Sequence, residues 1–153
     1  MYAAYLKQLH YVVDLKMRVS NYIDRMFAKY APAPFLSVVI DDCVSRGKDY
    51  YDGGPRYNTS YIQCCGLGTI TDSLAALKKH VFENQTFSMD RVLNAVSKNF
   101  EEDEVLRQTI MNRTPFFGND DDYADSIAVK VYDDLVDTID GKPNIKPGGK
   151  YHL

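Results

Sequence analysis

A chain of 153 residues with 45% apolar and 25% charged side chains is long enough to bury a sizeable core, and its ordinary composition excludes global disorder. The formal net charge of −3, from 18 basic and 21 acidic residues with no basic block, leaves no electrostatic footprint for nucleic acid or a membrane surface. No apolar run approaches the roughly 18 residues of a membrane span, and Met1–Lys7 lacks a basic segment followed by an apolar one, so neither a span nor a secretory leader is expected.

The first element is predicted over residues 3–29. Leu6, Leu9, Val12, Val13, Met17, Ser20, Ile23, Met26 and Phe27 recur at three- and four-residue spacings, the period of one helical face. Ala31-Pro32-Ala33-Pro34 stops it, because proline restricts its predecessor and has no N–H to donate. A short helix is predicted from Phe35 through Val44, with Gly47 near its C-cap. Asp52-Gly53-Gly54-Pro55 is turn chemistry, and the aromatic, β-branched run Arg56–Gln63 reads as a strand entering the loop Cys64-Cys65-Gly66-Leu67-Gly68. Thr71 or Asp72 is the expected cap of a helix carrying Leu74, Leu77, Lys78, Val81 and Phe82.

Ser88 opens the next predicted helix, with Val92, Leu93 and Val96, and another spans Glu101–Asn112. Thr114-Pro115-Phe116-Phe117-Gly118 interrupts the pattern. Asn119-Asp120-Asp121-Asp122 then starts a final helix with Tyr123, Ile127, Val131 and Leu135 on one stripe and acidic side chains where the helix dipole favours them. The tail Lys142–Leu153, rich in proline and glycine, reads as a connection leading elsewhere. The fold class expected is α/β with helices predominating: five or six helices and one or two strands. A lone strand cannot satisfy its own backbone groups, so the strand is expected to need neighbours from outside this chain.

Most residues that could carry chemistry have a structural explanation. Cys43, Cys64 and Cys65 are odd in number and include an adjacent pair, a poor disulfide framework, so a reducing cytoplasm and small, buried, inert thiols are expected. His10, His80 and His152 lack metal-ligand spacing, Asp120-Asp121-Asp122 with Asp125 is accounted for by helix capping, and no metal site is expected. The polar groups set among glycines and aromatics in Gly53–Gln63 suit a pocket wall, or alternatively a buried turn and strand whose polar groups satisfy one another.

The runs Gly53-Gly54-Pro55-Arg56-Tyr57-Asn58-Thr59-Ser60-Tyr61-Ile62-Gln63 and Gly66–Phe82 closely resemble the glycyl radical enzymes, the relatives of pyruvate formate-lyase. So do Leu106-Arg107-Gln108, Asn112-Arg113-Thr114-Pro115, Phe117–Asp125 and Pro147-Gly148-Gly149-Lys150-Tyr151, in the family's order across nearly the whole chain. The wording of Arg56–Gln63 is most similar to the trans-4-hydroxy-L-proline dehydratase branch. The resemblance implies a ten-stranded α/β barrel in which a radical stored on a backbone glycine passes to a cysteine sulfur that attacks the substrate. It also implies that the stored radical is installed by a separate radical S-adenosylmethionine activating enzyme, and it allows a homodimeric parent.

Neither radical residue is expected here. Arg18-Val19-Ser20-Asn21-Tyr22 imitates the glycyl motif but has Asn21 where glycine is required, and Cys64-Cys65 lies outside the cysteine-loop context. Residues 1–153 are therefore read as part of a barrel domain without the thiyl cysteine loop or the C-terminal glycyl radical domain, inactive alone, with the rest of the parent as its first partner. The expected chemistry of the parent is anaerobic dehydration of a small hydroxylated substrate. Carbon–carbon cleavage of the formate acetyltransferase type and a non-catalytic helical interaction module are the alternatives. Within Arg56–Gln63, residues two apart share a strand face, which assigns Tyr61 and Gln63 to substrate and Asn58, beside Gly53 and Gly54, to structure.

Overall fold

The computed structural model describes residues 1–153. The fold class is α/β with helices predominating. The α-helices are α1 (Tyr2–Tyr30), α2 (Pro34–Ser37), α3 (Asp41–Arg46), α4 (Leu67–Leu77), α5 (Met89–Ser97), α6 (Glu104–Arg113) and α7 (Asp122–Ile139). The strands β1 (Ser60–Tyr61) and β2 (Tyr151–His152) hold two residues each. The chain divides into two compact units, one of Met1–Cys64 with Asp134–Leu153 and one of Cys65–Asp133.

In the first unit α1 ends where the Ala31 N–H reaches Phe27 O and Pro32 follows. The single short helix expected over 35–44 is two helices. Pro34 opens α2, Ile40 is extended, and α3 then runs to Gly47, which is left-handed at φ 58°. Asp49 ties α2 to the following 3₁₀ turn, Tyr50–Asp52. Its Oδ2 accepts from Ala33 N at 2.9 Å and Ser37 Oγ at 2.7 Å, and its Oδ1 accepts from Tyr51 N at 2.9 Å. The Ser37 hydroxyl oxygen in turn accepts from Tyr50 N at 2.9 Å.

Two expectations about the strand fail together. Regular pairing covers only Ser60 and Tyr61 of the predicted 56–63, and the strand is not alone. It pairs in parallel with β2, Ser60 opposite Tyr151 and Tyr61 opposite His152. Ser60 N donates to Lys150 O at 2.9 Å and Ile62 N to His152 O at 2.8 Å. The tail read as a departing connection thus turns back to serve as the strand's neighbour. On the other edge of β2, Gly141 N donates to Tyr151 O at 3.0 Å and Tyr151 N to Lys142 O at 2.8 Å.

In the second unit, Phe87, Val92, Ala95 and Leu106 form a buried cluster against which Leu77, Val81, Phe100 and Ile110 pack. Here Gly66, not Thr71 or Asp72, caps α4. Thr71 is fully buried one turn inside the helix, and Asp72 Oδ1 accepts from Phe117 N at 2.8 Å. The helix continues as a π-turn, Lys78–Glu83. Ser88 caps α5, its hydroxyl accepting from Arg91 N at 3.2 Å. Asp103 caps α6 and also accepts a two-pronged bond from Arg91, Nε to Oδ2 at 2.7 Å and Nη2 to Oδ1 at 2.9 Å. Asp121 accepts from Tyr123 N at 2.9 Å at the start of α7.

Candidate functional site

The Gly53-Gly54 turn is built for close backbone approach. Gly53 has φ 75°, and a Cβ there would lie 2.6 Å from Pro147 Cδ. At Gly54 a Cβ would come closer than 3.0 Å to Lys48 O, Cys43 Sγ and Asp49 O. Arg46 closes the turn from outside, its Nη1 donating to Gly54 O at 3.2 Å and Pro55 O at 3.1 Å. Asn58 is buried and closes it from inside: Nδ2 donates to Pro55 O at 2.9 Å and lies 3.5 Å from Gly53 O.

From Asn58 the chain enters β1 under the control of Asn144. Its Nδ2 donates to Asn58 O at 2.7 Å and Ser60 Oγ at 2.9 Å, while its Oδ1 accepts from Lys146 N at 2.9 Å. An amide suits this position because it donates and accepts at one place. The Tyr151 hydroxyl sits 2.9 Å from Asn21 Oδ1 and 3.1 Å from Met17 O, both on α1. Burial, then the nearby Asp24 carboxylate, pushes its phenol above the ordinary range. Asn21 Oδ1 also accepts from Ile145 N at 3.1 Å. Thus Asn21, the residue that spoils the glycyl-motif imitation, is a structural anchor on α1.

This arrangement gives the two-stranded sheet unequal faces. Tyr151, 1% exposed, turns toward α1, and its register partner Ser60 shares that face. Tyr61 and His152, the other register pair, lie on the opposite face. Their rings are 6.2 Å apart between centroids, and Tyr61 is 76% exposed. Gln63 is also exposed. The structure therefore separates the residues singled out in the sequence, with Asn58 inside the turn and Tyr61 and Gln63 at the surface.

Sequence reasoning set His152 aside for want of metal-ligand spacing and did not single out Asp140. His152 Nδ1 lies 3.2 Å from Asp140 Oδ2, and Asp140 Oδ1 accepts from Leu153 N at 2.8 Å. The Leu153 N–H, then His152, hold the Asp140 carboxyl below the usual carboxylate range. The signal available in the sequence was a polar ring beside Tyr151 in a glycine-bounded tail, which carries meaning only once the tail pairs with β1.

Other polar groups read as structural. His80 is buried with Nε2 3.0 Å from Thr114 Oγ1, and its carbonyl accepts from Thr86 N at 2.7 Å. Burial, then Lys79, lowers its pKa. An apolar cleft of about 260 Å³ lies between α4, α5 and α6, lined by residues including Leu77, Val92, Leu93 and Ile110. The cysteines depart from expectation: Cys43 is buried, but Cys64 is only half-buried and Cys65 is exposed, because the connector carrying them follows a short strand. No helix is long and apolar enough to cross a membrane.

A mostly helical chain carrying a short parallel strand pair fits the α/β class. The comparisons with known proteins agree. The chain matches the family described as "Pyruvate formate lyase-like" over residues 1–153, and it belongs to that family. It is 44% identical over its whole length to trans-4-hydroxy-L-proline dehydratase of Clostridioides difficile, of which it spans 19%. It is 32% identical to (2S)-3-sulfopropanediol dehydratase of Klebsiella oxytoca, covering 93% of this chain and 17% of the relative. In structure it is similar to hydroxyproline dehydratase from Clostridioides difficile with its substrate bound, at a TM-score of 0.92 over 99% of this chain and 19% of that one. It is also similar to the B12-independent glycerol dehydratase from Clostridium butyricum, at a TM-score of 0.88 and 33% identity, again covering 99% of this chain and 19% of the other.

Proposed function

We propose that residues 1–153 are an interior part of an anaerobic, cytoplasmic glycyl radical dehydratase that removes water from a small hydroxylated substrate, with trans-4-hydroxy-L-proline as the leading candidate. The observation that carries this reading is the 44% identity across the entire chain to an enzyme of that activity. The 32% identity to a second dehydratase favours elimination over carbon–carbon cleavage. The thiyl cysteine loop and the glycyl radical domain belong to other parts of the parent. A radical S-adenosylmethionine enzyme is its activating partner, and a homodimer is its assembly.

When present in the parent, the radical supplies hydrogen abstraction from the substrate. The residues here bind and orient. Tyr61, on the exposed face of the sheet, and Gln63, exposed just beyond β1, are the proposed substrate contacts. Asn58, Gly53 and Gly54 set the height and direction of the strand behind them. Asn144 and Tyr151 pin that strand to the returning tail and to α1, so that the contacts are held by rigid elements.

The test is activation of the full-length protein under anoxic conditions with its activating enzyme, followed by electron paramagnetic resonance and substrate assays. A glycyl doublet with water loss from trans-4-hydroxy-L-proline is expected. A doublet accompanied only by pyruvate cleavage would transfer the protein to the acetyltransferase reading. Full-length protein that forms no doublet would favour the interaction module.

A further inference from the structure

The exposed face of the β1–β2 pair carries an aromatic ring and an imidazole, Tyr61 and His152, and the exposed amide of Gln63 follows just beyond the end of β1. Of these, the imidazole is the one with a dedicated holder. Asp140 contacts His152 Nδ1 through one carboxylate oxygen at 3.2 Å and the Leu153 backbone N–H through the other at 2.8 Å. Because an ionised carboxylate only accepts hydrogen bonds, Nδ1 carries the proton, and in the neutral ring Nε2 is left as an acceptor. The Asp140 bond to the Leu153 main chain fixes the carboxylate against the strand itself, so the ring is oriented in the frame of the sheet. The His152 side chain nevertheless remains 40% exposed beside Tyr61. An imidazole held at Nδ1 by a carboxylate, with no partner at Nε2 in this chain, is equipped to accept a hydrogen bond there.

We infer that His152 is a ligand-binding residue that accepts a hydrogen bond at Nε2 from the hydroxyl or ammonium group of a small hydroxylated substrate, with Asp140 as its positioning residue. The substrate class rests on the function proposed above. The place of His152 on the bare face, in register with Tyr61, rests on geometry alone. No proton transfer is assigned to the ring. It selects ligands that offer a donor at that point and turns them relative to Tyr61.

The test uses the full-length protein. His152→Gln keeps an acceptor near the position of Nε2, whereas His152→Asn has an amide too short to reach it. Loss of the hydrogen bond in His152→Asn is expected to raise KM for the substrate on the order of tenfold, with kcat changed less and with substantial recovery in His152→Gln. Asp140→Asn retains an oxygen for Leu153 N but offers N–H to the imidazole, which moves the ring proton to Nε2. It is expected to raise KM as His152→Asn does while leaving the melting temperature near wild type, an outcome that a purely structural Asp140 would not produce. Unchanged KM in both asparagine variants, with wild-type turnover intact, would overturn the inference and leave the proposed function standing.

A second measurement needs no turnover. Diethylpyrocarbonate modification of His152, read by mass spectrometry on unactivated full-length protein, is expected to proceed and to be blocked by trans-4-hydroxy-L-proline or glycerol. No modification, or modification that neither compound blocks, would overturn the inference. A wild-type protein that carries the glycyl doublet and dehydrates neither compound, yet is protected at His152, would sink the functional reading alone.

Discussion

At the scale of single residues, Gly54 and Gly66 separate two costs that glycine avoids. At Gly54 an added Cβ meets the backbone oxygens of Lys48 and Asp49 and the Cys43 sulfur, atoms of a folded turn that cannot step aside. At Gly66 nothing lies within 4 Å, and only φ 87° opposes a side chain. Gly66→Ala is therefore expected to cost about 1–2 kcal/mol, the price of a left-handed L-residue, and Gly54→Ala more than that. Urea midpoints of the two variants measure the difference, and equal midpoints would remove the close-approach account of the turn. Asn58 and Gln63 separate in the same way. Asn58→Ala removes one of two donors to the Pro55 carbonyl, leaving Arg46 Nη1, and is expected to lower stability by about 0.5–1.5 kcal/mol. Gln63→Ala, at an exposed position, is expected to leave the melting temperature unchanged and to lower turnover in the full-length protein. Loss of turnover without destabilisation in Asn58→Ala, with Gln63→Ala fully active, would reverse the two assignments.

At the scale of elements, Asp49 is the joint between α2 and the 3₁₀ turn. Burial raises its pKa, but the bonds from Ser37, Tyr51, Ala33 and Tyr50 outweigh it, and the carboxyl titrates below its ordinary value of 3.8. A folded-state pKa below the unfolded one means that the unfolded chain binds more protons in acid. The stabilisation is thus complete above about pH 4 and is lost as pH falls through the folded value. Asp49→Asn is expected to unfold more easily than wild type at neutral pH and to lose less stability between about pH 4 and pH 2, because its side chain does not titrate. Chemical unfolding across that range reads both effects, and parallel acid slopes for the two proteins would show that the joint does not depend on the charge. The parallel strand pair depends on a different device. Asn144 ties β1 to the returning tail, so Asn144→Leu is expected to loosen both strands together, visible as faster amide exchange at Ser60 and Ile62.

At the scale of the whole chain, apolar surface is the deciding quantity. Along α1 only Val13 is buried, while Val12, Val19, Ile23, Met26 and Phe27 are exposed. Phe35 is 90% exposed, and Val38, Val39 and Val44 are exposed near it. In the second unit Leu93, Val96 and Val105 are exposed. Surface of this kind drives association when it is left without a partner, and β1 and β2 together form only a narrow sheet. The isolated chain is expected to elute as a broad, associated species and to melt with low cooperativity. A clean monomeric peak with a sharp transition would contradict the reading of these residues as part of a larger barrel domain. The isolated chain is also expected to show no glycyl doublet after treatment with the activating enzyme.

What the amino-acid sequence determined by itself was mostly local. The period of α1, its stop at the proline pair, the Ser88 cap and the left-handed Gly47 each depend on neighbours within a turn or two, where periodicity and capping chemistry act. The family was legible as well, because its motifs are continuous runs. The start of α4 was misread because Thr71 has the chemistry of a cap but the burial of a core residue, and burial is a property of packing. Only the tertiary structure decided the rest. Asn144 meets Asn58 across 86 residues of chain, and Tyr151 meets Asn21 across 130. Contacts of that span are set by the path of the backbone, which no local pattern encodes. The same path returns the tail beside β1, gives the strand the partner it was thought to lack, and places His152, held by Asp140, on the bare face beside Tyr61.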